Sequence, residues 1–245
     1  MLTVIDKVES CRDLGVIMEN SGGFEKQTDK ACSRARQKCG WICRMFYCRN
    51  PRFMRKMFLE LAQPHLDYCS QLWAPATEGT QMSLVEGVLR NFTRQIPATR
   101  GMNYWERLKF LRMNSEQRRM ERYRILYVWK VLRGLAPNPG IKTLPENEHK
   151  GRMCFVPFTR DKKQLESFNF AGNKLFNVLP KEPRNMMTMS LDDFKTHLNA
   201  LLTRLPDEPL VPGLVPGATS MIQSKPSNSL LQKIPRAQKE RLTDG

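Results

Sequence analysis

Helical periodicity recurs along most of this chain and limits what it can fold into. In residues 24–47, Ala35, Cys39, Ile42 and Phe46 follow the i, i+4, i+7, i+11 spacing of an amphipathic helix. Proline, glycine and capping residues separate further stretches of this kind. Helices are predicted over 24–47, 51–62, 82–96, 103–111, 115–133, 168–179 and 191–204. We therefore predict a mainly α protein, built as a helical bundle.

Strands make a minor contribution to the predicted fold. Apolar runs at residues 2–5 and 14–18 are separated by a charged turn and could pair as a hairpin. A further short strand is predicted near 152–158. Because two short strands make a poor sheet by themselves, we expect the hairpin to lie at the edge of a larger structure.

Composition shifts divide the chain into four predicted parts. Beyond Leu205, prolines recur without a periodic apolar face, and LVPG occurs twice in tandem. Such a segment has little apolar surface to offset the entropy of ordering, so we expect a disordered, Pro-rich tail. The predicted parts are a strand-containing segment 1–23, a helical domain 24–140, a C-terminal helical segment 141–204 and the tail 205–245.

A large excess of basic residues makes polyanions the natural partners of this chain. Its 245 residues include 40 lysines and arginines against 24 aspartates and glutamates, a formal net charge of +16. Residues 30–59 carry nine of the cations and no acid before Glu60, and residues 90–133 carry twelve against three acids. Helical spacing selects as leading phosphate contacts Arg34, Lys38, Arg118, Arg119 and Arg122.

The acidic residues do not form a recognisable catalytic set. Nucleotidyl transfer needs two Mg²⁺ ions held by closely placed carboxylates. Asp192 and Asp193 are adjacent, but they follow Ser190 at a predicted helix start, where carboxylates complement the helix dipole. Asp207 and Glu208 lie in the proline-rich part. We therefore expect no catalytic residue in this chain and assign the Asp192–Asp193 pair to helix capping.

The seven cysteines are interpreted as reduced thiols in a protein of the nucleus or cytoplasm. Cys32, Cys39, Cys43 and Cys48 could hold zinc, but Cys39 and Cys43 lie one turn apart within a helix, unlike a zinc knuckle in a loop. Packing in the core is the preferred interpretation, and we expect no metal or other cofactor. No motif around His65, His149 or His197 supports a hydrolytic site.

Several segments, read in order, are similar to one family. Among them are PHLDYCSQLWAP (64–75), VEGVLRNFTRQI (85–96), FAGNKLFNVLP (170–180) and SLDDFKTHLNALL (190–202), and longer matching stretches cover 13–46 and 103–138. This succession resembles the region that follows the palm in reverse transcriptases of non-LTR retrotransposons, the LINE-like and jockey-like group. The resemblance covers about residues 10–204.

The resemblance implies a thumb-like helical region of an RNA-directed DNA polymerase. In that family the Mg²⁺-binding aspartates belong to the palm, N-terminal to this region, and residues 14–16 resemble the last strand of the palm edge. The implied role is to hold a template–primer duplex through its backbone. The chain is therefore expected to lack polymerase activity and to bind RNA or DNA phosphates.

Two alternatives remain open from the sequence. The helices could form a co-opted scaffold that binds a protein partner, in which case apolar faces around Phe53, Trp73 and Phe92 should be exposed. The reading frame could also be a decayed element without a selected function. No run of about 18 apolar residues occurs, so no membrane partner is expected.

Overall fold

The fold is mainly α-helical, as predicted, with one two-stranded sheet near the N-terminus. A computed structural model describes residues 8–76, 79–145, 153–180, 189–209 and 228–235. Its residue contacts divide the chain into two compact units: unit 1 is Met1–Met113 with Asp161–Lys163, and unit 2 is Asn114–Arg160 with Gln164–Gly245. The predicted domain 24–140 is thus divided between two units, and the last helix of that range belongs to unit 2.

The hairpin pairs β1 (Ser10–Asp13) with β2 (Val16–Glu19) in antiparallel register, with Asp13 opposite Val16. Leu14 and Gly15 have φ values of 43° and 90° and form the two-residue turn, a geometry that matches strand twist. The Tyr68 hydroxyl donates to the Leu14 carbonyl at 2.6 Å. A strand pair near the N-terminus is therefore present, as predicted, but its pairing differs from the prediction. Strand β1 lies in the stretch predicted as the charged turn, and Leu14 lies in the observed turn. The predicted strand at 2–5 lies outside the described residues.

Unit 1 is built around a long first helix. After the hairpin come α1 (Glu25–Met45), α2 (Pro51–Met57), a π-helical turn (Phe58–Ala62), α3 (Gln63–Asp67), α4 (Ser70–Trp73), α5 (Thr80–Arg94), a 3₁₀ turn (Pro97–Thr99) and α6 (Tyr104–Leu111). Helix α1 packs against α5, α3 and the π-helical turn. The predicted stripe is confirmed at Ala35 and Ile42, which are fully buried.

Aromatic and aliphatic side chains fill the core of unit 1. The rings of Phe58 and Phe92 lie 4.9 Å apart, and Leu66 and Leu89 are fully buried. Trp73 is 2% exposed, and its indole N–H donates to the Tyr68 carbonyl at 2.7 Å. Burial of such side chains stabilises the unit by roughly 1.5–3 kcal/mol each.

Unit 2 is organised around α7 (Glu116–Leu132), which packs against α9 (Phe168–Val178). A Cβ atom on Gly172 would lie 3.0 Å from Val128 Cγ2, so the absence of a side chain permits the close approach of these helices. The unit also contains α10 (Leu191–Arg204), and α8 (Lys162–Glu166) spans the boundary between the units. Trp129 of α7 stacks on Phe194 of α10, with ring centroids 4.8 Å apart.

The prediction of a strand near 152–158 reduces to a single antiparallel bridge between Thr143 and Cys154. Asn177 of α9 holds this bridge, because its amide oxygen accepts from the Cys154 N–H at 2.9 Å and its amide nitrogen donates to the Cys154 carbonyl at 2.7 Å. A side chain thus supplies hydrogen bonds that a neighbouring strand would otherwise provide.

Two pieces of the predicted tail depart from the expectation of disorder. Residues 205–209 continue from α10, and residues 230–235 are helical, with Leu230 and Ile234 buried in the core of unit 2. The side chains of Leu230 and Ile234 provide apolar contacts that the proline content of the tail does not predict. The intervening residues 210–227 and the residues after 235 lie outside the described part of the chain.

Candidate nucleic-acid interface

The exposed face of α1 carries the first two predicted contact residues. Arg34 and Lys38 are one helical turn apart and exposed, because Ala31, Ala35 and Ile42 on the other face are buried. Neither side chain makes an ion pair or hydrogen bond with the part of the chain that the structure describes. This surface, which we call the α1 face, presents two uncompensated cations to solvent.

Burial and the cations of the α1 face lower the pKa of a neighbouring histidine. Burial lowers the pKa of His65 on α3, and the charges of Lys38 and Arg34 lower it further. The pKa of Lys30 is also lowered, by desolvation first and then by the charges of Arg12 and Arg34. Cations that lower each other's pKa are stabilised in their charged form when a polyanion binds beside them.

Other cations of the 30–59 stretch have structural roles. Arg49 donates from Nη1 to the Phe46 carbonyl at 2.8 Å and from Nη2 to the Cys43 carbonyl at 2.5 Å. These bonds satisfy carbonyls at the C-terminus of α1. Arg36 donates to the Leu84 carbonyl of α5 at 3.3 Å. The nine cations of the stretch therefore overstate the number available to a ligand.

A second basic surface of unit 1 lies where α2 begins and α6 ends. Arg52 and Arg55 of α2, together with Phe110 and Arg112, line a cleft of about 580 Å³. The Asn50 side chain caps α2 by accepting from the Arg52 N–H at 3.0 Å. We call this surface the α2–α6 cleft. The prediction singled out none of these side chains, although Arg52 and Arg55 belong to the basic stretch.

Arg118 is not available for phosphate contact, contrary to the prediction. Its side chain is 3% exposed, and its guanidinium donates to the carbonyls of Leu202, Leu205 and Pro206 at 2.7–2.9 Å. Its Nε lies 3.3 Å from Asp207 Oδ1. Residues 202–207 thus surround the guanidinium and replace the water that a surface arginine would keep.

Arg119 and Arg122 are partly buried and already hydrogen-bonded. Arg119 donates to the Tyr123 hydroxyl at 3.2 Å, and Arg122 Nε donates to Asn199 Oδ1 at 2.8 Å. Both line a cleft of about 420 Å³ in unit 2. Burial lowers the pKa of Arg122, with the charge of Arg119 acting in the same direction. Phosphate contact at this site would compete with existing partners, so these residues are weaker candidates than Arg34 and Lys38.

A buried ionic cluster on the inner side of α7 was not anticipated. Burial raises the pKa of Glu121 to about 6 and lowers that of Arg124 to about 10. The Glu121 carboxylate accepts from the Ser229 hydroxyl at 2.5 Å and from the Leu230 N–H at 2.8 Å. Burial also lowers the pKa of Lys233 to about 8, with the nearby charge of Arg118 contributing. Ser229 and Leu230 lie more than 100 residues after Glu121 in the sequence, so local spacing gave no signal of these hydrogen bonds.

The carboxylate pairs have structural roles in the described residues. The Ser190 hydroxyl accepts from the Asp193 N–H at 3.2 Å, which confirms the predicted N-cap of α10. Asp192 pairs with Lys195 at 2.9 Å, and that hydrogen bond lowers the pKa of Asp192. Asp207 accepts from the Ser115 N–H at 2.7 Å, so it orders the start of α7 as well as pairing with Arg118.

The thiols are less uniformly buried than the core interpretation requires. All seven cysteines lie among the described residues and none of them forms a disulfide; Cys32 and Cys154 are buried, whereas Cys11 and Cys48 are exposed. Among the described residues, no three His, Cys, Asp or Glu side chains are grouped closely enough to hold a metal ion. His149 lies outside these residues, and the expectation of a chain without cofactors stays a prediction.

Two of the apolar residues that the scaffold interpretation requires to be exposed are buried. Trp73 and Phe92 are each 2% exposed, and Phe53 is partly buried with its ring 5.2 Å from that of Phe46. These positions therefore do not offer the apolar partner surface that the interpretation expects in unit 1.

Comparison with protein-family models, with curated proteins and with solved structures found no match to this chain. None of the helices in the described ranges is both long enough and apolar enough to cross a bilayer. The resemblance to reverse transcriptases and the assignment to nucleus or cytoplasm accordingly remain predictions.

Proposed function

We propose that unit 1 binds the sugar–phosphate backbone of RNA or DNA, in the manner expected of a thumb-side region of a non-LTR retrotransposon reverse transcriptase. The observation that carries the proposal is the α1 face, where Arg34 and Lys38 are exposed and have no ionic partner among the described residues. Guanidinium and ammonium groups on one helix face can follow a phosphate backbone without reading base edges.

Binding of this kind is driven by the release of counterions from the polyanion. Each phosphate neutralised contributes roughly −0.7 to −0.9 to the slope of log affinity against log salt. Desolvation is the main cause of the lowered pKa values of His65 and Lys30, and nearby cations lower both values further. This second contribution supports a positive potential at the α1 face. Little sequence preference is expected, since the backbone is the same for all sequences.

The test is a fluorescence-anisotropy titration of the full chain against labelled RNA and DNA at salt concentrations from about 50 to 200 mM. We expect affinity to fall steeply and linearly on logarithmic axes, with similar values for two unrelated sequences of equal length. Absence of binding at the lowest salt concentration would refute the proposal. Binding that is independent of salt would refute its mechanism.

We further propose that the chain alone does not extend a primer. Asp192 and Asp193 are engaged at a helix start, and Asp207 pairs with Arg118. A primer-extension assay with Mg²⁺ or Mn²⁺ tests this directly. Incorporation above that of a protein-free reaction would contradict the assignment of these carboxylates to structural roles.

A further inference from the structure

The α2–α6 cleft combines positive charge with an exposed aromatic ring. Arg52, Arg55 and Arg112 line it together with Phe110, which is 49% exposed. Among the residues that the structure describes, no carboxylate lines the cleft. A ligand that fits this lining carries several negative charges and an apolar surface on the same molecule.

The arginines of the cleft are available to an incoming anion. The guanidinium groups of Arg52 and Arg112 have no hydrogen-bond or ionic partner among the described residues, and Arg55 Nε is shielded from solvent and likewise unpaired there. A phosphate that enters the cleft can therefore contact the guanidinium groups of Arg52 and Arg112 without displacing an existing partner.

The position of Arg112 is set by an unusual main-chain conformation. Its φ is 53°, the left-handed region, and its N–H donates to the Lys109 carbonyl at 3.1 Å where α6 ends. Glycine or asparagine is the usual residue at such a helix end. An arginine held there extends from the end of α6 into the cleft beside the exposed Phe110 ring.

We propose that the α2–α6 cleft binds an unpaired stretch of single-stranded nucleic acid, with phosphates at the three arginines and a base stacked on Phe110. Stacking requires an exposed base face, which a continuous duplex does not offer, whereas arginines that contact phosphates accept either form. The inference deepens the proposed function and rests on it, because it assigns the single-stranded form to one surface of unit 1.

The experiment compares a single-stranded oligonucleotide with a duplex of the same length, using the full chain and two phenylalanine variants. Phe110→Leu keeps an apolar side chain but removes the ring, and we expect it to weaken single-strand binding about fivefold or more. Duplex binding should change by less than about twofold, because no base is stacked there. The matched control is Phe155→Leu in unit 2, where the native side chain is 46% exposed; it should leave both affinities unchanged.

A charge variant and a cross-link provide independent readouts. The double substitution Arg52→Gln with Arg112→Gln should weaken single-strand binding and flatten its salt dependence. An oligonucleotide containing 5-iodouracil should cross-link, on irradiation, to a peptide that contains Phe110. Melting curves of each variant show whether it remains folded.

The outcomes separate this proposal from the proposed function. If the wild-type chain binds neither nucleic acid, both fall. If it binds but Phe110→Leu, the arginine double variant and the cross-link all fail to implicate the cleft, the cleft assignment is overturned while the α1 face remains. Loss of single-strand binding in the cleft variants, with duplex binding retained, supports the cleft assignment.

Discussion

Units 1 and 2 place the same residue type in opposite environments. On α1 of unit 1, Arg34 points to solvent, with apolar residues on the opposite face of the helix. On α7 of unit 2, Arg118 and Arg124 are turned inward and are 3% and 1% exposed. An arginine-rich helix is therefore not by itself a binding surface; what matters is whether later parts of the chain supply partners for its guanidinium groups.

The difference arises from the segments that follow α10. Leu205, Pro206 and Asp207 provide acceptors for Arg118, and residues 228–235 cover Glu121. Removing charge from water is expensive, so a buried cation is tolerated where several acceptors replace its hydration. In unit 1 the described residues supply no comparable acceptors to Arg34 or Lys38, which leaves these cations for an external polyanion.

The largest expected effect comes from truncation after Arg204. It removes the buried Leu230 and Ile234, and also Leu205, Pro206 and Asp207, which supply acceptors to Arg118. We expect this loss to destabilise unit 2 by more than about 5 kcal/mol. Hydrogen exchange read by mass spectrometry should show lost protection in α7 and α9. Unit 1 should keep its protection.

Truncation after Pro235 serves as the matched control, because it keeps all the contacts described for residues 205–209 and 228–235. We expect this shorter deletion to leave exchange in α7 unchanged. Full protection of α7 after truncation at Arg204 would mean that residues 205–235 do not stabilise unit 2. The segment would then behave as the disordered tail predicted from its prolines.

A smaller loss is expected from Arg118→Gln. The substitution leaves Asp207 and three carbonyls without their cation, and removal of one partner of a buried pair costs about 3–5 kcal/mol. Arg34→Gln, at an exposed position, should cost less than about 0.5 kcal/mol. Urea denaturation measures both, and equal stability of the two variants would erase the contrast between the units.

Glu121 should make the stability of unit 2 depend on pH. Its folded-state pKa of about 6 lies above the ordinary value of 4.5, so it favours folding below pH 4.5 and loses that contribution as pH rises through 6. Relative to Glu121→Gln, the wild type should gain up to about 2 kcal/mol of unfolding free energy between pH 7.5 and 4.5.

The comparison with Glu121→Gln removes pH-dependent contributions that do not involve Glu121. The remaining difference includes the effect of the Glu121 charge on Lys233, whose pKa that charge raises. Urea denaturation across this pH range provides the free energies. A difference between the two proteins that does not vary with pH would show that the carboxylate is not buried as described.

The sequence was a good guide to the helices and a poor guide to their charged faces. The spacing of Ala35 and Ile42 defined the inward side of α1, because helix period and burial are local properties. The burial of Arg118 depends on carbonyls 84 to 88 residues later, and that of Glu121 on residues 108 and 109 positions away. Only tertiary structure brings such groups together, so composition and spacing could not distinguish Arg118 from Arg34.

Helix ends, turns and surfaces were likewise predicted where a local sequence signal exists and missed where none exists. The three-residue spacing of Asn103 and Glu106 is typical of a capping box, and the structure contains both of its hydrogen bonds. The hairpin turn at Leu14 and Gly15 was assigned to a strand, because an apolar leucine gives no turn signal. The α2–α6 cleft was missed because Arg52 and Phe110 are far apart in sequence, and no local pattern links a basic stretch to an exposed ring.

The exposed cations Arg34 and Lys38 of unit 1 are expected to contact phosphate directly. The measurement is the salt dependence of nucleic-acid affinity for the double variant Arg34→Gln with Lys38→Gln, compared with Lys142→Gln with Arg204→Gln, an equal change of charge at exposed positions of unit 2. We predict that the first double variant lowers the magnitude of the slope of log affinity against log salt by roughly 1.4–1.8, the contribution of two phosphates. The second double variant should leave the slope unchanged. Equal slopes for both double variants would contradict the account, because the α1 face would then be ordinary solvated surface.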